Sequence, residues 1–306
     1  MMTEITPVTG RRGGECFLVS DGSAAFLVDT GYAFCAEETV GNIEKALGGR
    51  GLDYILITHS HYDHVGGLER IKRRWPSART AASRHAADIF ARDGARQLMR
   101  SLDATAAEQK GCAPAAYDYT EGLAADIIVG EGDELKAGGM TAGVMNTPGH
   151  TRCSVNYYFK EADIMALSET NGVRISREIV TPAFVVAYRI SLEAIERAIS
   201  MSPGRLIVSH HGEVAGEEAA EFLDKALAAA KDEAEFVMGM HRSGAAFEEI
   251  MKACTERHYK GRRKEYQPQS AFEMNQRAML AKLIEELGGE NAPSEAHRPR
   301  HNASGL

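Results

Sequence analysis

The stretch Thr58-His-Ser-His-Tyr-Asp-His64, followed by Val65-Gly66-Gly67, brings three histidines and one aspartate within six residues. It continues directly from Tyr54-Ile-Leu-Ile-Thr58, an apolar run whose length is typical of a buried strand. Neutral imidazole and carboxylate groups are ligands that suit Zn²⁺, Fe and Mn in proteins. A cluster of these groups just past a strand end therefore predicts a metal site in the loop.

The spacing of the four side chains indicates more than one metal position. In extended backbone, His59 and His61 point the same way, because side chains alternate with a period of two. Asp63 and His64 are adjacent and therefore diverge. One short loop can thus supply ligands to two positions. A loop of solvated histidines is the alternative interpretation, but this spacing after a strand favours metal binding.

Charge and composition narrow the class of protein. The 306 residues include 35 Lys+Arg and 43 Asp+Glu, a net charge of −8, which argues against a nucleic-acid or anionic-membrane surface. Hydrophobic residues make up 44% and charged residues 25%, as is ordinary for a globular protein. No apolar run approaches the roughly 18 residues of a membrane span. We therefore expect a protein that binds neither nucleic acid nor membrane.

Cysteine usage indicates the compartment. The five cysteines are far apart and form no C-x-x-C pair, so reduced thiols fit better than a disulfide framework. The first residues show no apolar region of the kind that secretory signals contain. A cytoplasmic location is the expectation.

The rest of the chain alternates strand-like and helix-like segments. Apolar runs at residues 16–20 and 24–28, joined by Asp21-Gly22-Ser23, predict a hairpin. Residues 191–200 predict a helix that Ser191 caps, and residues 217–287 are almost wholly helical in pattern. Mixed strands and helices predict an α/β protein with sheets covered by helices.

Three motifs give this chain a family resemblance. Thr58-His-Ser-His-Tyr-Asp-His64 resembles the T-H-x-H-x-D-H motif of the metallo-β-lactamase-fold metallohydrolases. Thr147-Pro148-Gly149-His150-Thr151 and Asp29-Thr30-Gly31 match two further elements of that family in the expected order. The resemblance covers about residues 14–215. Within this family, the chain is most similar to the glyoxalase II and lactonase-like branch. It implies an αββα four-layer sandwich with a two-metal site at one edge.

The resemblance also implies a ligand set. His59, His61 and His150 would bind the first metal, and Asp63 and His64 would bind the second together with a late histidine. The implied cofactors are two divalent metal ions, with zinc as the first choice and iron or manganese as alternatives.

Two ligand positions do not follow directly from the family's motifs. The family's bridging ligand is an Asp at a strand end, but the strand predicted at residues 163–167 is followed by Ser168-Glu169, so we assign the bridging role to Glu169. The alternative is that Glu169 is a surface turn residue and the site holds one metal. For the late histidine, aligning the strand end selects His210, whereas aligning a G-H-G pattern selects His211. We predict His210.

The implied function is a binuclear metal-dependent hydrolase, in which a metal-activated hydroxide attacks a small ester, lactone, thioester or phosphoester. Asp63 is the predicted catalytic residue, because it contacts both metal and solvent and can orient water or carry a proton. Tyr62, Arg152 and His211 are predicted to line the substrate pocket.

Other functions of the same fold remain as alternatives. A mononuclear iron oxygenase of the persulfide-dioxygenase type shares the histidine motif. A flavodiiron-like redox protein is disfavoured because His61 stands where that group has Glu, and a nuclease is disfavoured by the acidic charge. A homodimer through the C-terminal helices is one possibility.

The domain organisation follows from the motif coverage. We predict a metallo-β-lactamase-like domain at residues 1–215, a helical lid insertion at about 82–125, a helical C-terminal extension at 216–289 and a flexible tail at 290–306.

Overall fold

Two six-stranded sheets form the centre of the structure, a computed structural model that describes residues 3–11, 13–260 and 269–288. The first sheet consists of β1 Glu4–Pro7, β2 Phe17–Ser20, β3 Ala25–Val28, β4 Tyr54–Leu56, β5 Arg79–Ser83 and β6 Ile127–Val129. Its strands are ordered as they occur in the chain. The strands β1 to β3 are antiparallel, and β3 to β6 are parallel. The predicted hairpin is confirmed, with Phe17 opposite Val28 and Ser20 opposite Ala25.

The second sheet has the order β14-β13-β10-β9-β8-β7. Its strands are β7 Glu134–Ala137, β8 Met140–Asn146, β9 Val155–Phe159, β10 Ile164–Ala166, β13 Arg205–Val208 and β14 Gly212–Ala215. The pair β10 and β13 is parallel, and the other neighbours are antiparallel. A separate two-stranded ribbon joins β11 Val173–Arg174 to β12 Val180–Thr181.

Helices separate and follow these strands. They are α1 Ala36–Leu47, α2 Tyr62–Val65, α3 Leu68–Arg74, α4 Arg84–Phe90, α5 Asp93–Gln109, α6 Tyr188–Met201, α7 Glu217–Arg242, α8 Phe247–His258 and α9 Gln269–Leu287. The helical pattern predicted at residues 217–287 corresponds to α7, α8 and α9. In the described part of the chain, no helix is both long and apolar enough to cross a membrane.

The prediction that Ser191 caps its helix is wrong. The helix α6 begins at Tyr188, and Ser191 lies inside its first turn, where its hydroxyl donates to the Ala187 carbonyl at 2.6 Å. The backbone N–H groups of Tyr188 and Arg189 instead donate to the Glu286 carboxylate, each at 2.9 Å. A carboxylate from α9 therefore caps α6, which a local sequence pattern cannot show.

Alternation along the strands builds the layers. Phe26 and Val28 of β3 face the second sheet, and the Phe26 ring lies 5.3 Å from that of Phe159. Leu27, between them, faces the other way and packs in the same cluster as Ile43 of α1. The first sheet is therefore covered by the second sheet on one face and by helices on the other.

The second sheet is covered in the same manner. Ile207 of β13 belongs to the core between the sheets, whereas Leu206 and Val208 pack among residues of the C-terminal half such as Ile195 of α6 and Phe222 of α7. The predicted αββα sandwich with a helical C-terminal extension is thus confirmed.

A buried polar group joins the three last helices. Glu233 of α7 is only 1% exposed and accepts hydrogen bonds from Gln276 of α9 at 3.0 Å and from His258 of α8 at 2.6 Å. Burying a carboxylate is unfavourable unless its oxygens are paired. This contact therefore selects one arrangement of the helices. The domain boundaries stay predictions, and the tail predicted at 290–306 lies outside the described residues.

Candidate metal centre

The loops that follow four strands meet at one edge of the two sheets. His59 and His61 follow β4 of the first sheet, whereas His150, Glu169 and His210 follow β8, β10 and β13 of the second. All five side chains come together within two groups of potential ligands. The site is therefore built from both sheets.

The first group contains the three histidines assigned to one metal. Their ligand nitrogens all lie within 4.8 Å of one another, and His61 Nδ1 is 3.1 Å from His150 Nε2. His59 Nε2 is buried and has no hydrogen-bond partner among the described residues. An unpaired buried nitrogen is costly, and a cation would satisfy it.

The second group contains Asp63, His64, Glu169 and His210, again within 4.8 Å. The Asp63 carboxylate lies 3.9 Å from His64 Nε2 and 3.6 Å from His210 Nε2. The structure thus brings His210 into the group. His211 is exposed and is not a member.

Glu169 lies between the two groups. Its Oε1 atom is 3.2 Å from His64 Nε2 and 2.7 Å from His210 Nε2, while its Oε2 atom is 3.2 Å from His150 Nε2. The residue is 8% exposed, which excludes the alternative of a surface turn residue. One carboxylate therefore contacts histidines of both groups.

Burial keeps the first group ready to bind a cation. It lowers the pKa of His59 well below its usual range and, with the charge of His150, lowers the pKa of His61 to about 4. Both imidazoles are therefore neutral at pH 7, which metal binding requires.

Asp29 orients two of the histidines. Its Oδ2 atom accepts hydrogen bonds from His64 Nδ1 at 2.8 Å and from the Thr58 hydroxyl at 2.7 Å. That hydroxyl is 3.1 Å from His59 Nδ1 and can accept its proton, since its own proton is donated to Asp29. The network assigns protons to both Nδ1 atoms and leaves both Nε2 atoms for a cation. Sequence analysis found Asp29 as part of a motif but gave it no role.

Two further residues lie beside the Nδ1 atoms of His150 and His210. His150 Nδ1 donates to the Ala183 carbonyl at 2.7 Å, so that Nε2 is its ligand atom. Glu15, which is buried, lies 3.5 Å from His210 Nδ1 through its Oε1 atom. Sequence analysis missed Glu15 and Ala183, because neither belongs to a motif.

Tight backbone packing supports the loop. Asp29 and His210 both adopt positive φ, at 56° and 59°, a conformation that non-glycine residues rarely occupy. A Cβ atom on Gly67 would lie 2.3 Å from the Thr30 carbonyl oxygen. The glycine therefore allows α3 to begin directly against the Asp29-Thr30-Gly31 loop.

A cavity of about 430 Å³ opens onto this centre. His61, Asp63, His150, Glu169 and His210 line it, as does Tyr62. The expectation that Arg152 and His211 line the pocket is corrected: both side chains are exposed, and neither lies among the cavity residues. Arg152 precedes the buried Cys153 in a turn, and His211 follows the candidate ligand His210. In such turns the side chains of neighbouring residues point in different directions.

An αββα sandwich with a group of three histidines and a group of two histidines and two carboxylates at one edge defines a metal-binding protein of the metallo-β-lactamase fold. Residues 9–210 match the family model described as the metallo-beta-lactamase superfamily. The chain belongs to this superfamily, and the resemblance found in the sequence is confirmed.

Curated relatives match over limited stretches. A hydroxyacylglutathione hydrolase of Acidiphilium cryptum is 30% identical over 158 residues, which are 52% of this chain and 49% of the relative. A probable metallo-hydrolase of Bacillus subtilis is 31% identical over 113 residues, 36% of this chain and 46% of the relative. The chain thus spans about half the length of these relatives.

Solved structures match over more of the chain. A metallo-beta-lactamase family protein of Thermus thermophilus has a TM-score of 0.63 and 16% identity, covering 94% of this chain and 93% of its own. A subclass B3 metallo-beta-lactamase of Bradyrhizobium japonicum has a TM-score of 0.54 and 18% identity, covering 79% and 94%. At these identities the likeness shows the fold alone.

Proposed function

We propose that this chain is a metal-dependent hydrolase that holds two divalent cations and cleaves a small ester, lactone, thioester or phosphoester. The observation that carries the proposal is Glu169, whose two oxygens contact histidines of both ligand groups. The cavity volume fits a small molecule. The names of the matched relatives, which include hydroxyacylglutathione hydrolase, support hydrolysis.

The donor set fits the implied ions. Five imidazoles and two carboxylates make up the two groups, and such nitrogen and oxygen ligands suit zinc, with iron and manganese as alternatives. The buried, unpartnered Nε2 atom of His59 supports this fit. We assign His59, His61 and His150 to one ion, Asp63, His64 and His210 to the other, and Glu169 to both.

The residues of the chain divide the chemistry between them. Two divalent cations, when bound, lower the pKa of a water molecule and polarise the oxygen of the scissile group. Asp63 lines the cavity, and its carboxylate is placed to orient the attacking water and accept its proton. Asp29 and the Ala183 carbonyl hold the imidazoles in the required tautomers.

The second ligand group favours this function over the mononuclear iron oxygenase. One ion needs only one group, yet Asp63, His64, Glu169 and His210 form a second set of four. The cytoplasmic location stays a prediction. The lid role of residues 82–125, the homodimer and the absence of nucleic-acid binding stay predictions.

Elemental analysis of protein purified without added metal tests the proposal, followed by a panel of lactone, thioester and phosphodiester substrates. We expect about two ions per chain and turnover of at least one substrate class. The double variant His61→Ala/Asp63→Ala should lose bound metal and turnover. The variant His85→Ala, which changes a histidine outside both groups, should keep bound metal and turnover. An active, metal-replete double variant would contradict the proposal, and one iron per chain with oxygen uptake would favour the oxygenase.

A further inference from the structure

We infer that Lys110 selects substrates that carry an anionic group, a carboxylate or a phosphate, attached to an apolar body. The inference rests on the proposed function, because it names the substrate class for the same cavity. Lys110 follows α5 and lines the cavity together with the candidate metal ligands.

Three cationic side chains line the cavity in the described part of the chain, and two of them are already paired. Arg11 contacts Glu38, with Nε 2.7 Å from Oε1, and Arg174 forms an ion pair with Glu218. Lys110 has no carboxylate within ion-pair distance among the described residues. It is therefore the cavity cation whose charge remains available to a substrate.

The ammonium group of Lys110 lies near the Tyr32 ring and Gly13. Lys110 Nζ lies 5.5 Å from the centroid of the Tyr32 ring, and a Cβ on Gly13 would be 3.6 Å from it. Tyr32 in turn stacks on Phe34 at 4.7 Å and is buried. An ammonium held partly away from water against aromatic rings attracts an anion more strongly than a fully hydrated one does.

Another part of the cavity lining is apolar. The helix α9 places Phe272, Met274 and Met279 on the cavity, and the ribbon and its flanking loop add Val173 and Ile175. Met274 is 53% exposed, although it is large and apolar. An exposed apolar side chain at a cavity favours an apolar ligand surface. A neutral polar substrate would satisfy neither this wall nor Lys110.

The first test compares two esters of equal chain length. The p-nitrophenyl monoester of glutarate carries a carboxylate, and p-nitrophenyl pentanoate is its neutral counterpart. We expect wild type to prefer the glutarate ester about tenfold in kcat/KM, as for one charge-assisted hydrogen bond. Lys110→Met should lose the preference by slowing the anionic ester alone, and Lys110→Arg should retain most of it. The preference should fall as salt rises.

Lys136→Met is the matched control, because Lys136 is an exposed lysine on β7 that does not line the cavity. This variant should keep the wild-type preference. A preference unchanged in Lys110→Met, or lost equally in Lys136→Met, would overturn the inference.

Binding separates this inference from the proposed function. Calorimetric titration of neutral pentan-1-ol, of pentanoate and of pentyl phosphate measures affinity without turnover, and the tighter of the two anions whose binding depends on Lys110 identifies the group. If neither ester is cleaved but anion binding falls about tenfold in Lys110→Met, the hydrolase proposal fails and the anion site stands. If both esters are cleaved alike and Lys110→Met changes neither rate nor binding, the anion site fails alone.

Discussion

Glu169 carries one methylene more than the aspartate of the family pattern, and its reach explains how one carboxylate contacts His64, His210 and His150. Glu169→Asp would withdraw the carboxylate by roughly a bond length, so it could not contact both groups. We expect affinity for the second ion to fall at least about tenfold. Chelator competition measures this. Glu213→Asp, on the exposed face of β14, is the control, and equal affinity in both variants would refute the bridging role.

Asp29 contacts no candidate ion position directly, yet it holds His64 and, through Thr58, His59. Asp29→Asn removes an acceptor of the His64 proton, so the imidazole is less basic and less well oriented. We predict a 10–100-fold loss of metal affinity. Asp224→Asn, on the exposed face of α7, should bind metal as wild type does. Unchanged affinity in the Asp29 variant would show that the network does not orient the histidines.

Asp103 gives a prediction about pH. Burial, aided by the charge of Asp63, raises its pKa from 3.8 to about 7, although a hydrogen bond from the Ala33 N–H opposes the rise. The folded state therefore favours the protonated carboxyl. The contribution of this carboxyl to the free energy of unfolding is fully present below about pH 4, declines as pH rises from about 4 to 7 and is lost above 7.

Asp103→Asn keeps an oxygen for the Ala33 N–H and carries no charge. In metal-free protein we expect the free energy of unfolding of this variant to differ least from that of wild type near pH 4 and to exceed it by ~1–3 kcal/mol at pH 8. Urea unfolding at the two pH values measures the difference. A gain of equal size at both would mean that the effect is not due to ionisation.

Among the elements, the loop before β9 depends on a glycine. A Cβ on Gly149 would lie 2.1 Å from Ser191 Oγ and 2.6 Å from Thr170 Cγ2. Gly149→Ala should therefore lower the free energy of unfolding by about 1–3 kcal/mol through overpacking. Gly41→Ala, in α1 with open space around it, should raise it by about 0.5–1 kcal/mol. Equal effects in thermal unfolding would show that the loop relaxes.

Elements differed in how far their sequences predicted them. The strands beside the sequence motifs are strongly apolar, so their sequences predict them. The sequence of β5, Arg79–Ser83, does not predict a strand. It is largely buried but consists of Arg, Thr, Ala and Ser, which lack the apolar pattern of a strand. The start of α6 was misplaced because Glu286, nearly a hundred residues away, provides its cap.

The residues of the candidate site also divide into those that local sequence predicts and those that depend on tertiary packing. The motif loop holds four candidate ligands close in sequence, so local spacing was enough to propose them. Glu15 and Ala183 reach the histidines only through tertiary packing, and no local pattern marks them. His211 is exposed and does not line the cavity, and the residue before it, His210, adopts positive φ, which a sequence pattern does not mark.

At the scale of the whole molecule, the candidate ligands come from both sheets, so that a bound cation would join the sheets. His59 and His64 follow the first sheet, whereas His150 and His210 follow the second. A cation bound only by the folded chain stabilises it by about 2.7 kcal/mol at a free concentration 100 times its Kd.

We therefore expect zinc to raise the Tm of chelator-treated protein by several degrees. His150→Ala should show a smaller rise, and His85→Ala the full one. If wild type unfolds at the same temperature with and without zinc, the sheets are not joined in this way.

The seven candidate ligands all lie between residues 59 and 210, whereas the apolar wall of α9 lies at Gln269–Leu287. One wall of the cavity thus lies apart from the candidate ligands in the primary structure, although the cavity residue Lys110 lies between ligands in sequence. A mutant library confined to cavity positions of α9 such as Met274 and Asn275, with core positions such as Leu280 and Leu283 kept, would diversify selectivity without altering a ligand. In directed evolution, the cavity positions of α9 can therefore be varied while every candidate ligand stays unchanged.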